Sequence, residues 1–391
     1  MSKYKVLLSI APPRLGGIDF LLPLFFQLKQ KNSLLRIELL IIEKKLWLEL
    51  NDNEFLIQQL KAIDVRLTNM NWVRREVSFF SKTINNIMNY LLLVLVLYRF
   101  IKLFAVLATN SPVIMIHSRN VQIGALSFIR WLVKFKKGKI YSHPNTMTIF
   151  HGREMVTEKS HINGSDNALY FSSEGNQAIS LDYNKKYIIG YPKLYNDWLS
   201  HVKELGNEYR KDIVHNAKQK DKKVVALFLF SIVKGVVNIE DYNEWLSTVL
   251  SAIERCYKNP IILIKPHPPV ERYRKIINEH MLKSSVEEFR ILDLHAGVIA
   301  SASDVVISAH SSVIIDALGM NVPTILHQNF TPHWLIRHPE VSSFLKLKNP
   351  HSYNEKTLVS ELNNFKDKER EVSNIGKTLK HKDNFEVFLN D

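Results

Sequence analysis

A single cysteine, Cys256, occurs in 391 residues, which leaves no partner for an intrachain disulfide and no thiolate cluster for a metal. A reducing compartment, or indifference to redox, is the expectation. Several common site signatures are missing as well: no Gly-X-Gly-X-X-Gly, no Walker loop and no His-Glu-X-X-His occur. Zinc-finger spacing, RNP-like aromatic motifs and a uniformly basic tail are equally lacking, so nucleic acid is not expected as a partner. No internal repeat or low-complexity tract interrupts the chain. The start, Met1 to Ser9, leads straight into the strand-like "YKVLLSI" without a small-residue cleavage pattern, and the cytoplasm is the expected location.

Uninterrupted apolar runs of bilayer length are also lacking. The most hydrophobic stretch, Met88 to Ala108, is long enough to cross but carries Arg99 and Lys102 near its middle, where each charge is costly. A core helix and an interfacial helix on the inner membrane face are its two readings.

What is present is ordinary globular material: 46% hydrophobic and 23% charged residues, in a length that suits two domains. Lysine and arginine total 52 against 38 acids, a formal charge of +14 that calls for an anionic partner such as a phosphorylated substrate or an anionic membrane face. The first half alternates strand-like runs (Tyr4 to Ile10, Leu35 to Ile42, Val113 to Ser118, Lys139 to His143) with helical patterns such as "DFLLPLFFQLKQK". A polar stretch from Lys193 to Lys223 intervenes. Beyond it the rhythm restarts with Val224 to Ser231, Ile261 to Lys265, Asp304 to Ser308 and Val322 to His327, alternating with helices. The expected organisation is a Rossmann-like domain over 1–195, a linker over 196–222, a second Rossmann-like domain over 223–350 and a helical tail over 351–391. Two such doubly wound α/β units would face each other across a cleft lined by the carboxyl ends of their strands.

The sharpest pattern lies in the second half. "IKPHP" (Ile264 to Pro268) closes one strand, and "DVVISAHSSVIIDALGMNVP" (Asp304 to Pro323) reads as strand, turn, helix and next strand. Both loops would open on one sheet edge. Ser311 and Ser312 at a helix start, with Lys265, His267, Pro268 and His310 near them, would suit a phosphate or carboxylate. The plainer reading makes the serines an N-cap and His267 a turn residue.

These motifs resemble the His-Pro and Ser-Ser motifs of bacterial sialyltransferases, polysialyltransferases and Kdo transferases, and more distantly those of CDP-glycerol and CDP-ribitol phosphotransferases. "TIFHG" (Thr148 to Gly152) and "YIIGYPKLYN" (Tyr187 to Asn196) extend the likeness to the CDP-alditol enzymes. The resemblance implies a GT-B-like fold. It also implies a second domain that binds a donor nucleotide, with His267 and the Ser311/Ser312 pair at its phosphate. The chain departs from the phosphotransferases in having Ala309 and His310 before the paired serines, and from the sialyltransferases in lacking their acidic pair followed by glycine.

The catalytic base is therefore sought on physical grounds, as a carboxylate or imidazole on the first-domain side. Asp19 follows "APPRLGG" at a predicted helix start, with an N-cap as its alternative, while His151 and Glu154 form a second loop candidate and His143 a third. Arg14, Gly16, Gly17 and Arg153 would line the acceptor side. With no Asp-X-Asp in the sequence, metal independence is expected, with no cofactor beyond a nucleotide-sugar co-substrate, CMP-linked by preference. The overall expectation is a glycosyltransferase of bacterial surface polysaccharide, lipooligosaccharide or capsule synthesis. It would act on a glycan or lipid-linked glycan and sit peripherally on the inner membrane face. A CDP-alditol phosphotransferase and a non-catalytic nucleotide-binding assembly protein are the alternatives.

Overall fold

The computed structural model describes residues 6–13, 15–70, 98, 101, 105, 113–118, 125–143, 165–170, 185–214, 222–232, 237–267, 270–309, 313–329 and 351–366. They form two compact units, one running to Pro192 and the other beginning at Lys193.

The first unit is a seven-stranded parallel sheet of β1 (Val6–Ile10), β2 (Arg36–Ile41), β3 (Val65–Asn69), β4 (Val113–His117), β5 (Lys139–Ser142), β6 (Asn167–Tyr170) and β7 (Lys185–Ile188). Their spatial order is β3-β2-β1-β4-β5-β6-β7. β1 and β4 are buried along their whole length, as apolar strands of a sheet covered on both faces must be. The described helices are α1 (Leu15–Lys31), α2 (Lys44–Asp52), α3 (Glu54–Ala62) and α4 (Ala125–Phe135). α1 begins four residues before Asp19, the residue expected to open it, and so takes in both glycines of "LGG". A Cβ at Gly17 would collide with the Pro12 ring, so glycine is what lets the helix start this close to the β1 loop. Of the apolar stretch Met88 to Ala108, only Tyr98, Ile101 and Ala105 lie among the described residues; all three are helical and exposed. Among the described residues no helix is long and apolar enough to cross a membrane.

The second unit repeats the arrangement with β8 (Val224–Phe228), β9 (Ile261–Lys265), β10 (Glu288–Ile291), β11 (Val305–Ser308), β12 (Thr324–His327) and β13 (His351–Ser352), all parallel, in the order β10-β9-β8-β11-β12-β13. Its helices are α5 (Asn196–Ile213), α6 (Ile239–Cys256), α7 (Glu271–Met281), α8 (Ala296–Ser301), α9 (Ile314–Gly319) and α10 (Glu355–Lys366). α6 opens with a capping box: the Asn238 side chain accepts from the Asp241 N–H, and the Asp241 carboxylate accepts from the Asn238 N–H. It ends at Cys256, whose buried thiol lies 3.7 Å from the Val359 carbonyl of α10.

Within the segment expected as a linker, 196–222, lies α5. Its polar composition hides one narrow buried face of Trp198, Val202, Gly206 and Ile213. A Cβ at Gly206 would overlap the Ser301 hydroxyl, so glycine sets how closely α5 approaches α8. Arg210 fixes the far end of α5, donating to the Ala302 carbonyl at 2.7 Å and to both Asp304 carboxylate oxygens. Asp304 in turn accepts the Val224 N–H at the start of β8.

Candidate functional site

In both units the strand order reverses beside the first strand, between β1 and β4 and between β8 and β11. Loops leaving such a reversal at the carboxyl edge diverge and leave room for a ligand between them. The strands that precede the two sequence motifs of the second unit, β9 and β11, flank β8 at this point. Phe228, the last residue of β8, is in register with Lys265 on one side and with Ser308 on the other. His267, two residues past Lys265, and Ala309, directly past Ser308, therefore leave the same edge on either side of β8.

His267 is exposed, directly after the buried Pro266. The Lys265 ammonium donates to the Leu294 carbonyl at 2.6 Å, which turns it toward the loop after β10. That loop carries Asp293, whose carboxyl is raised from its ordinary value by partial desolvation, with the Lys265 ammonium opposing the shift. The loop after β8 is held by the Tyr273 hydroxyl of α7, which accepts from the Ile232 N–H at 3.2 Å and lies 3.4 Å from the Ser231 hydroxyl. α9 begins at Ile314, so Ser312 precedes it by two residues, and six residues of helix supply only a small dipole.

Beneath the edge lies a buried ionic cluster that the sequence did not announce. Asp316 of α9 accepts from the Lys193 ammonium at 3.0 Å, with side-chain exposures of only 2% and 6%. The His295 imidazole approaches the other Asp316 oxygen at 3.8 Å. Its Nδ1 accepts from the Gly297 N–H as the N-cap of α8, and Trp198 of α5 meets its ring edge-on. Lys193 is the first described residue of the second unit, so this pair ties that point of the chain to the helix that follows Ser311 and Ser312 in the sequence. Farther along the edge, His327 closes β12, fully buried; its Nδ1 is 2.9 Å from the Ser352 hydroxyl, and burial pushes its imidazole down to about 4.

In the first unit, Asp19 is half-buried one turn inside α1, which removes the N-cap alternative. Gly16 is exposed and Gly17 buried at the same helix start. Two buried histidines occupy the carboxyl edge. His117 ends β4, and its Nε2 hydrogen-bonds the Ser165 hydroxyl; His143 follows β5 and donates its N–H to the His117 carbonyl. The sequence signal for His117 and His327 is the one that singled out His267, a histidine at the end of an apolar strand. Arg14, His151, Arg153, Glu154, Pro268, His310, Ser311 and Ser312 lie outside the described residues. Among the described residues no group of His, Cys, Asp or Glu has the makings of a metal site.

No protein-family model and no curated protein matches the sequence. Solved structures do. The chain is similar to UDP-GlcNAc 2-epimerase from Neisseria meningitidis bound to UDP-GlcNAc, at 14% identity and a TM-score of 0.55 over 99% of this chain and 100% of that one. It is likewise similar to UDP-GlcNAc 2-epimerase from Methanocaldococcus jannaschii, at 14% identity and a TM-score of 0.55 over 94% of both chains. A glycosyltransferase from Rickettsia africae ESF-5 matches at 11% identity and a TM-score of 0.51, over 93% of this chain and 88% of that one. At these identities the likeness is one of fold. Two parallel, doubly wound units in one chain give this protein the GT-B type of α/β architecture.

Proposed function

We propose that the chain is a glycosyltransferase that takes its sugar from a nucleotide donor bound at the carboxyl edge of the second unit. The observation that carries this reading is the register at β8, which brings the His-Pro loop and the approach to the Ser-Ser segment to one edge at the strand-order reversal. Solved proteins of the same fold support it, one bound to UDP-GlcNAc and one named a glycosyltransferase. In this reading His267, Ser311, Ser312 and nearby backbone N–H groups hold the leaving phosphate, and their hydrogen bonds strengthen as negative charge develops there. A group in the first unit takes the acceptor proton. Asp19, His117 and His143 are its described candidates, and His151 and Glu154 come from the sequence.

The resemblance of the motifs favours a CMP-linked acidic sugar and an acceptor in bacterial surface glycan synthesis. A UDP-linked donor is the second reading, favoured by the UDP-GlcNAc in the N. meningitidis epimerase. Thermal-shift titration against CMP, CDP, UMP, UDP and GDP separates them. A ligand at about one hundred times its Kd contributes roughly 2.7 kcal/mol, a readily measured rise in Tm. Stabilisation by UDP alone would overturn the CMP preference, and no response to any nucleotide would overturn the donor site itself.

A further inference from the structure

The first unit carries a solvent-exposed aromatic face on α4. α4 buries Ile129, Leu132 and Val133 against the sheet. On its outer side Phe128, Trp131 and Phe135 recur at helical spacing with exposures of 47%, 56% and 71%. Their rings stack in sequence, with centroids 5.9 Å and 5.5 Å apart. Arg130 and Lys134 lie on the adjoining strip of the helix surface, and Lys136, Lys137 and Lys139 follow directly. No acid occurs from Ala125 to Lys139. Asp166 meets Lys134 at 2.9 Å in a half-exposed pair. The same unit exposes two more apolar helical side chains, Tyr98 and Ile101, in a segment where Arg99 and Lys102 are neighbours.

We propose that the outer face of α4 docks on an anionic phospholipid surface, with Phe128, Trp131 and Phe135 entering the headgroup boundary and the flanking cations meeting lipid phosphates. Tryptophan and phenylalanine beside lysine and arginine are the composition that lies in such an interface. Charge chooses between occupants. A second copy of this chain would bring two sets of the same cations together, whereas an anionic leaflet neutralises them.

The test is flotation of the full chain with vesicles of phosphatidylcholine alone and with vesicles containing about one quarter phosphatidylglycerol. The wild type should float with the anionic vesicles only and be released by salt on the order of 0.5 M. Replacing the three aromatics, F128S/W131S/F135S, should weaken binding by roughly tenfold or more, because their apolar area no longer leaves water. Lys136→Glu/Lys137→Glu should lower binding and its salt dependence together. The three aromatics and Lys137 are exposed and Lys136 is half-exposed, so both variants should keep a Tm close to that of the wild type. A triple variant that floats like the wild type overturns the proposal, as does a wild type that floats with neither vesicle. A wild-type dimer that the triple variant converts to monomer would assign the face to self-association and also overturn it.

Discussion

Removing Lys193 from its partner should be among the most damaging single changes in the second unit. The ammonium and the Asp316 carboxylate are 3.0 Å apart and almost sealed from water. At that separation and an effective dielectric near 20, their gross attraction is about 5 kcal/mol. The cost of taking both ions out of water offsets most of it, so the intact pair contributes little net stability. Lys193→Met keeps the volume and the apolar stem but leaves the Asp316 carboxylate buried without its cation, which should cost about 3 to 5 kcal/mol. Lys193→Met/Asp316→Leu, which removes both charges, should return to within about 1.5 kcal/mol of the wild type. Urea titration followed by tryptophan fluorescence reads the effect where it occurs, because Trp198 and Trp245 are both buried in this unit. A single variant costing under about 1 kcal/mol would mean that water already screens the pair. A double variant as unstable as the single one would place the cost in packing rather than charge.

Two further tests address the edge above that pair. His267→Ala should lower turnover on the order of 100-fold with Tm nearly unchanged, and Ser311→Ala/Ser312→Ala should add weaker nucleotide binding; wild-type turnover in the first variant would refute the site. Burial holds His327 down to about 4, so the unfolded chain takes up a proton below its ordinary value near 6.5 while the folded chain does not. Its contribution is complete above pH 6.5 and is lost as pH falls toward 4, by up to about 3 kcal/mol. Stability profiles of the wild type and His327→Gln should converge across that window, and parallel profiles would refute the assignment.

The parts of the fold that were legible are those where burial is complete. β1, β4, β8 and β9 read as strands because a sheet covered on both faces demands continuous apolar residues. β7 and β10 are half-exposed and mix charged with apolar residues, so no run marks them. α5 passed for a linker because Trp198, Val202, Gly206 and Ile213 are all that it buries, and a glycine serving close approach counts against a helix when read locally. The His-Pro and Ser-Ser motifs were visible because each is contiguous in the sequence. The Lys193–Asp316 pair joins residues 123 positions apart, and only the folded chain brings them together. His117 and His327 carried a readable signal, but a histidine ending a strand acquires meaning only when the strand order puts it beside a reversal or inside the core.

The lone thiol between α6 and α10 makes this chain an unusually quiet background for chemical labelling. Cys256 is 4% exposed and held against the Val359 carbonyl, so maleimides find little to react with while the second unit is folded. A cysteine introduced at an open position, Lys45 on α2 or Lys275 on α7, would then carry a probe alone, without deleting the native residue first. The slow modification of Cys256 itself becomes a clock for the rate at which α10 lifts from α6.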